Sequence, residues 1–219
     1  MKYAMWFMSA LCVLLSTSSI GTPIVSQPAN PSGLTTMSDF DPSIAWGNHY
    51  QFAADDFVLP RTTSITEFRW WGIYQKGKPV EAIQPPISDT LPSSNFTIRF
   101  FNDNSGIPGT VELELNALGN CSRTPINYML ENDGAYQYFE YRYQLPEPFE
   151  AVAGQRYWLF IADSTGSFPY DIFFSWLKSK TSYWCYSFEP GGLTGWTSYT
   201  SSDGMAFELY VQPVQFNDP

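Results

Sequence analysis

The chain has 219 residues, of which 18% are aromatic and 15% are charged, and its formal net charge is −10 at pH 7. This supply of aromatic side chains excludes an intrinsically disordered chain, and it argues against a coiled coil or a helical repeat. The acidic balance argues against nucleic-acid binding, because phosphate contacts require clustered Lys and Arg side chains.

The first 21 residues have the pattern of a secretory signal peptide. Lys2 precedes an apolar run over residues 3–15, and small hydroxyl residues follow that run. The small residues Ser19 and Gly21 predict cleavage after Gly21. The alternative is an uncleaved anchor, but the apolar run is short for a membrane span. We therefore expect a protein of the extracellular space or the periplasm, with no membrane span after cleavage.

Two cysteines, Cys121 and Cys185, remain after this cleavage. In an oxidising compartment they can form one disulfide, and the alternative is two separate buried thiols. Because the chain has a single histidine, His49, a metal site built on cysteine is not expected.

The remaining chain divides into an arm, one domain and a tail. Residues 22–45 contain four prolines among Ser, Thr and Gly residues, which predicts an extended arm without a helix. Residues 46–214 are expected to form one β domain, and residues 215–219 a short C-terminal tail. Residues 75–94 also contain four prolines and predict a long loop inside the domain.

Nine runs rich in aromatic and β-branched residues follow one another through the domain, and turn-forming residues separate them. They cover residues 50–59, 64–74, 95–102, 110–118, 136–145, 156–162, 171–177, 182–188 and 205–212. No stretch places apolar residues at helical spacing. Many short strands without helices predict an all-β fold, namely an antiparallel β-sandwich of the jelly-roll-like type.

Two of these strands indicate what their faces contact. In residues 136–145 an aromatic face alternates with a face that carries Glu140 and Arg142, and we expect the second face to lie nearer water. In residues 156–162 both faces are apolar, which predicts a central strand that is covered on both sides.

Several short motifs also occur in a characteristic order along the chain. They are Ala54-Asp55-Asp56-Phe57, Trp70-Trp71-Gly72, Tyr157-Trp158-Leu159, Gly195-Trp196 and Asp203-Gly204-Met205-Ala206-Phe207. This succession, within residues 50–212, resembles an uncharacterised domain of exported bacterial proteins, some of which carry a C-terminal sorting or anchoring segment. The resemblance implies a jelly-roll-like β-sandwich and no established activity. We expect two departures from the family pattern here: no C-terminal anchor and a longer loop at 75–94.

Candidate catalytic groups are few. Glu112 and Glu114 are two residues apart on a predicted strand, so their carboxylates share a face, and glycoside hydrolysis uses paired carboxylates. The simpler interpretation is a half-exposed strand. His49 precedes the first predicted strand, and no Gly-x-Ser-x-Gly motif accompanies it. We therefore assign no catalytic residue and expect no enzyme activity.

Calcium is the one cofactor that the sequence suggests. Hard cations bind carboxylate and carbonyl oxygens, and jelly-roll binding modules often hold a structural calcium near their terminal strands. The candidate ligands are Asp39, Asp41, Asp55, Asp56 and Asp203. The alternative for Asp55 and Asp56 is a pair that binds backbone N–H groups.

Aromatic side chains are the last candidates, because pyranose rings stack on exposed Trp and Tyr while neighbouring polar groups hold the sugar hydroxyls. The candidate ligand-binding residues are Trp184, Trp196 and Tyr199 near a Gly-rich loop, and Tyr136, Tyr138 and Arg142 on one strand. The alternative is core packing, which sandwich folds use heavily.

The favoured hypothesis is a secreted, non-enzymatic module that binds carbohydrate or another component of an extracellular surface or matrix. The alternative is a structural or adhesive subunit of an extracellular assembly, in which the arm adds a strand to a protein partner or to a second copy. A polysaccharide hydrolase is the least favoured hypothesis.

Overall fold

The computed structural model describes residues 21–30, 35–40, 50–76, 95–126, 138–164, 172–180, 184–189, 195–199 and 203–211. Within these ranges the chain forms strands and no helices. The described residues therefore contain no helix that is long and apolar enough to cross a membrane. The predicted signal peptide, the 75–94 loop beyond residue 76 and the C-terminal tail lie outside the described residues.

The strands are β1 (Val25–Gln27), β2 (Thr35–Met37), β3 (Tyr50–Val58), β4 (Thr63–Lys76), β5 (Phe96–Asp103), β6 (Pro108–Asn116), β7 (Ser122–Ile126), β8 (Tyr138–Ala151), β9 (Arg156–Asp163), β10 (Ile172–Leu177), β11 (Trp184–Glu189), β12 (Trp196–Tyr199) and β13 (Phe207–Tyr210). They form two antiparallel sheets, so the predicted all-β sandwich is confirmed. Consecutive strands pass repeatedly from one sheet to the other, as in a jelly roll.

The first sheet is built around the long strand β4. On one side β4 pairs with β8, and β7 pairs with β8 beyond it. On the other side β13 lies opposite residues 67–70 of β4, and β10 lies opposite residues 72–76. The short strands β1 and β2 complete this sheet outside β13 and β10, respectively.

The second sheet has the order β12-β11-β3-β9-β5-β6. Strand β9 lies in its middle, and seven of its eight residues are buried. Tyr157, Leu159 and Ile161 belong to the core between the sheets, whereas Trp158 and Phe160 belong to a cluster on the outer face. The prediction of a central strand that is covered on both sides is therefore confirmed.

The core between the sheets consists mainly of aromatic rings. Phe68 and Trp70 of β4 contact Phe100 and Phe96 of β5, with ring centroids 6.2 Å and 5.1 Å apart. Trp70 also stacks on Tyr141 of β8 at 5.3 Å. Because aromatic pairs contribute about 0.5–1.5 kcal/mol beyond the burial of their area, this network explains where the aromatic surplus of the chain is used.

The hairpin formed by β11 and β12 curls over the outer face of the second sheet. Three steps of sheet order separate β12 from β9, which would be about 14 Å in a flat sheet. The ring of Trp196 nevertheless lies 6.2 Å from Phe160 and 5.9 Å from Phe101. The outer cluster is thus closed by this hairpin, and Trp196 belongs to it.

The segment predicted as an arm contributes an edge to the first sheet. Within it, β1 pairs with β13 and β2 pairs with β10. Beyond β2, the amide of Phe40 donates to the carbonyl of Asp163 at 2.9 Å, and the amide of Asp163 donates to Ser38 at 3.2 Å. Residues 38–40 therefore cross from the first sheet to the end of β9 in the second.

Candidate functional site

The outer face of the first sheet carries a group of charged side chains on neighbouring strands. Strand register places Glu208 of β13, Arg69 of β4 and Arg142 of β8 side by side, with Ser26 of β1 beyond Glu208. The next row in one direction contains Trp71 and Glu140, and the next row in the other contains Tyr210 and Glu67. We call these eight residues the Arg69 platform.

Arg69 lies at the centre of the platform. Its Nη1 contacts Glu140 Oε2 at 3.2 Å, and its Nη2 donates to Glu208 Oε2. The guanidinium lies over the ring of Trp71, 4.8 Å from the ring centroid, and 5.8 Å from that of Tyr210. Burial lowers the pKa of Arg69, but the hydrogen bond and charge of Glu208 and the charge of Glu140 outweigh it, so the pKa is raised. Arg69 is therefore a cation that is held in place over the ring of Trp71.

The carboxylate of Glu208 holds the β13 side of the platform together. Its Oε1 accepts from the Ser26 hydroxyl at 2.9 Å, and its Oε2 accepts from the Tyr210 hydroxyl as well as from Arg69. Burial and this bond to Glu208 raise the pKa of Tyr210, so its hydroxyl stays protonated as a donor.

Arg142 and Glu67 form the more open side. Arg142 Nε donates to Glu140 Oε1 at 2.8 Å, whereas Arg142 Nη1 lies 3.9 Å from Glu67 Oε1. The side chains of Arg142 and Glu67 are 26% and 29% exposed. The platform thus presents fixed donors and acceptors to solvent above Trp71, which is buried. Such an arrangement can bind a polar ligand.

The predicted ligand-binding residues that the structure describes do not lie together on one surface. Arg142 lies on the platform, while Tyr138 is buried in an apolar cluster beside it, with Trp71, Ile73, Leu177, Ala206 and Ala29. Trp196 is 9% exposed and packs in the outer cluster, as the core-packing alternative expects. Tyr136 and the side chains of Trp184 and Tyr199 lie outside the described residues.

Three of the predicted calcium ligands, Asp39, Asp55 and Asp56, bind groups of the protein in the structure. Asp39 Oδ2 accepts from the amide of Phe174 at 2.7 Å, and Asp55 Oδ2 accepts from the amide of Met205 at 2.7 Å. Asp56 pairs with Arg156 at 3.1 Å. For Asp55 this is the backbone-binding role that the sequence left open.

Across the part of the chain that the structure describes, no three His, Cys, Asp or Glu side chains are grouped so that they could hold a metal ion. Asp203 lies half-buried ahead of β13, and Asp41 lies outside the described residues. Calcium binding therefore stays a prediction.

Cys121 is a free thiol in the structure, so the predicted disulfide with Cys185 is not formed there. Cys121 precedes β7 of the first sheet and packs against the main core, whereas Cys185 belongs to β11 of the second sheet. Burial raises the pKa of Cys121 to about 12, which makes it an unreactive thiol at neutral pH.

A comparison with protein families matches residues 23–187, most of the chain, to a domain of unknown function, DUF7901. The chain belongs to the DUF7901 family. The resemblance to an uncharacterised domain is therefore confirmed. No curated protein and no solved structure matches significantly. The DUF7901 match includes β1 and β2, and it ends within β11, before β13 of the first sheet.

Sequence reasoning missed most of the platform of this DUF7901 member. Glu67, Arg69 and Trp71 alternate on one face of β4, and Glu140 and Arg142 do so on β8. This alternation was visible, but it gave no hint that Glu208, far along the chain, pairs with Arg69. Glu112 and Glu114, the carboxylates considered for glycoside hydrolysis, lie apart from the platform on β6 of the second sheet, where Glu114 pairs with Arg99 at 2.8 Å.

Proposed function

We propose that this DUF7901 domain is an exported, non-enzymatic binding module whose Arg69 platform binds carbohydrate or a similar hydroxyl-rich component of an extracellular surface. The observation that carries the proposal is the guanidinium of Arg69, fixed between Glu140 and Glu208 over Trp71 in the middle of a sheet face. Export is supported by the signal-peptide pattern of residues 1–21.

The platform suits hydroxyl groups because its polar atoms are held in place before a ligand arrives. A hydroxyl both donates and accepts, and it therefore matches alternating carboxylates and guanidiniums. Side chains fixed in this way lose little conformational entropy on binding, which favours affinity for a weakly hydrophobic ligand. These fixed donors and acceptors support recognition of a polar ligand.

A thermal-unfolding screen of the purified protein against a panel of polysaccharides tests this proposal. A glycan that binds only the folded state is expected to raise the unfolding midpoint. Arg142→Ala should abolish the shift, because Arg142 lies on the open side of the platform. Arg99→Ala is the matched control, since Arg99 also binds a glutamate through Nε at 2.8 Å, but on the other sheet.

A shift that Arg142→Ala leaves intact, or that Arg99→Ala abolishes equally, would contradict the platform as the binding site. The absence of a shift with every glycan, together with a molecular mass that grows with protein concentration, would favour the alternative of a structural subunit. For that role the nine-residue strand β6 is one available edge, because among the described strands it pairs only with β5.

A further inference from the structure

The charges of the Arg69 platform do not balance. It contains three carboxylates, those of Glu67, Glu140 and Glu208, and two guanidiniums, those of Arg69 and Arg142. All five side chains lie on one face within adjoining rows of the sheet, so the site as a whole carries an excess of one negative charge.

The contacts locate this excess at Glu67. Both oxygens of Glu140 bind guanidiniums, and both oxygens of Glu208 accept hydrogen bonds. Glu67 has its charged contact at 3.9 Å, which is beyond hydrogen-bond distance. It is also the most exposed of the five charged side chains, at 29%. Glu67 is therefore the carboxylate of the platform that is open to a ligand.

The guanidiniums, in contrast, are already engaged. Arg69 binds Glu140 and Glu208 through its two terminal nitrogens, and its Nε is buried. Arg142 binds Glu140 through Nε, and its Nη1 lies 3.9 Å from Glu67 Oε1. An anionic ligand would have to displace the carboxylates at Arg69 or approach the negative charge of Glu67 beside Arg142, whereas a cationic group gains the attraction of Glu67 without displacing anything.

We propose that Glu67 makes the platform prefer glycans that carry a protonated amino group over their N-acetylated counterparts. This inference rests on the proposed function, because it specifies the ligand class of the same site. The ammonium group binds the Glu67 carboxylate, while a hydroxyl of the sugar accepts a hydrogen bond from the Nη1 group of Arg142.

Two oligosaccharides of equal length provide the test: a glucosamine oligomer and its fully N-acetylated form. Their affinities for the purified protein are measured by titration calorimetry at pH 6 and low ionic strength, where the amines are protonated. The amino form is expected to bind about fivefold more tightly, and Glu67→Gln is expected to bring the two affinities within about twofold of each other. Glu114→Gln, which removes an exposed carboxylate on the other sheet, should preserve the fivefold ratio.

The outcomes separate this inference from the function on which it rests. Equal affinities of the wild-type protein for both oligomers would overturn the amino preference and leave carbohydrate binding in place. A preference that survives Glu67→Gln, or that Glu114→Gln also removes, would overturn the role of Glu67, because it would reflect the acidic surface in general. If neither oligomer binds, the amino preference is wrong. The proposed function then fails as well only if the polysaccharide panel also gives no shift.

Discussion

At the scale of single residues, Asp163 shows how a buried carboxylate is used as a structural group. It is fully buried at the end of β9, where its Oδ2 accepts from the Tyr74 hydroxyl at 2.5 Å. Its Oδ1 accepts from the amides of Asn95 and Ser164 at 2.9 Å and 2.8 Å. Burial raises the pKa of Asp163, although these three hydrogen bonds and the charge of Arg123 lower it in part.

This raised pKa predicts a pH-dependent contribution to stability. The folded state holds the proton of Asp163 more tightly than the unfolded state, whose pKa is about 3.9. The free energy of unfolding should therefore fall as pH rises from about 4 through the folded pKa. Asp163→Asn should remove this loss, because its amide keeps an acceptor for Asn95 and Ser164 and can donate to Tyr74. Urea denaturation between pH 4 and pH 8 measures the difference between variant and wild type.

The advantage of Asp163→Asn over the wild type is expected to grow with pH and to shrink toward pH 4. Glu112→Gln, on the exposed strand β6, is the control and should leave the pH profile of the wild type unchanged. A constant difference between Asp163→Asn and wild type across the range would show that Asp163 is ionised equally in both states.

At the scale of elements, the close approach of β10 to β4 depends on Gly72. A Cβ atom at this position would lie 2.2 Å from Cε2 of Phe174 and 2.9 Å from the carbonyl oxygen of Ser175. Gly72→Ala is therefore expected to destabilise the fold by about 1–3 kcal/mol, because the two strands or the Phe174 ring must shift. Urea denaturation of the variant measures this cost.

The companion variant Phe174→Leu shows whether the Phe174 ring or the Ser175 backbone causes the loss of stability in Gly72→Ala. If the ring is what the new methyl group meets, the double variant should cost less than the two single variants together, since removing the ring relieves the clash. Strictly additive costs would instead place the strain in the Ser175 backbone, which both variants retain.

The elements also show how far the sequence alone could lead. The runs that form β3, β4, β5, β8 and β9 are long and rich in aromatic residues, so composition and alternation located them and the sandwich followed. Strands β1 and β2 have three residues each, and only their pairing with β13 and β10 makes them strands. Such pairing is set by distant partners and leaves no local pattern.

The dependence on distant partners also explains why only part of the candidate site could be predicted from the sequence. Arg142 was found because Glu140 and Arg142 stand on the polar face of a strand whose other face is aromatic. For Trp196 the sequence left core packing open, because an aromatic residue near a Gly-rich stretch looks the same whether its hairpin extends into solvent or folds over a sheet. The pairing of Arg69 with Glu208 joins residues 139 positions apart, which no spacing rule reveals.

At the scale of the whole molecule, the sandwich requires strands beyond the range that matches DUF7901. Phe207 and Leu209 of β13 are fully buried in the main core, and β13 lies between β1 and β4. A chain truncated after residue 187 is therefore expected not to fold cooperatively, because it exposes one side of β4 and opens the core. Thermal unfolding followed by near-ultraviolet circular dichroism detects the loss of a cooperative transition.

A chain truncated after Val211 is the matched control, since it keeps β13, and it should unfold cooperatively like the full chain. A cooperative transition with an unchanged midpoint in the chain that ends at residue 187 would contradict the essential position of β13 in the first sheet.

The pairing of β1 with β13 also has a consequence for how the protein is made. Ser26 and Glu208 are 182 residues apart, so at about 5–20 residues per second a ribosome needs about 10 to 40 s to deliver the partner of the first strand. Until then β1 has no partner strand, and β4, once made, lacks β13 beside its residues 67–70. The first sheet can therefore be completed only after β13 has been synthesised.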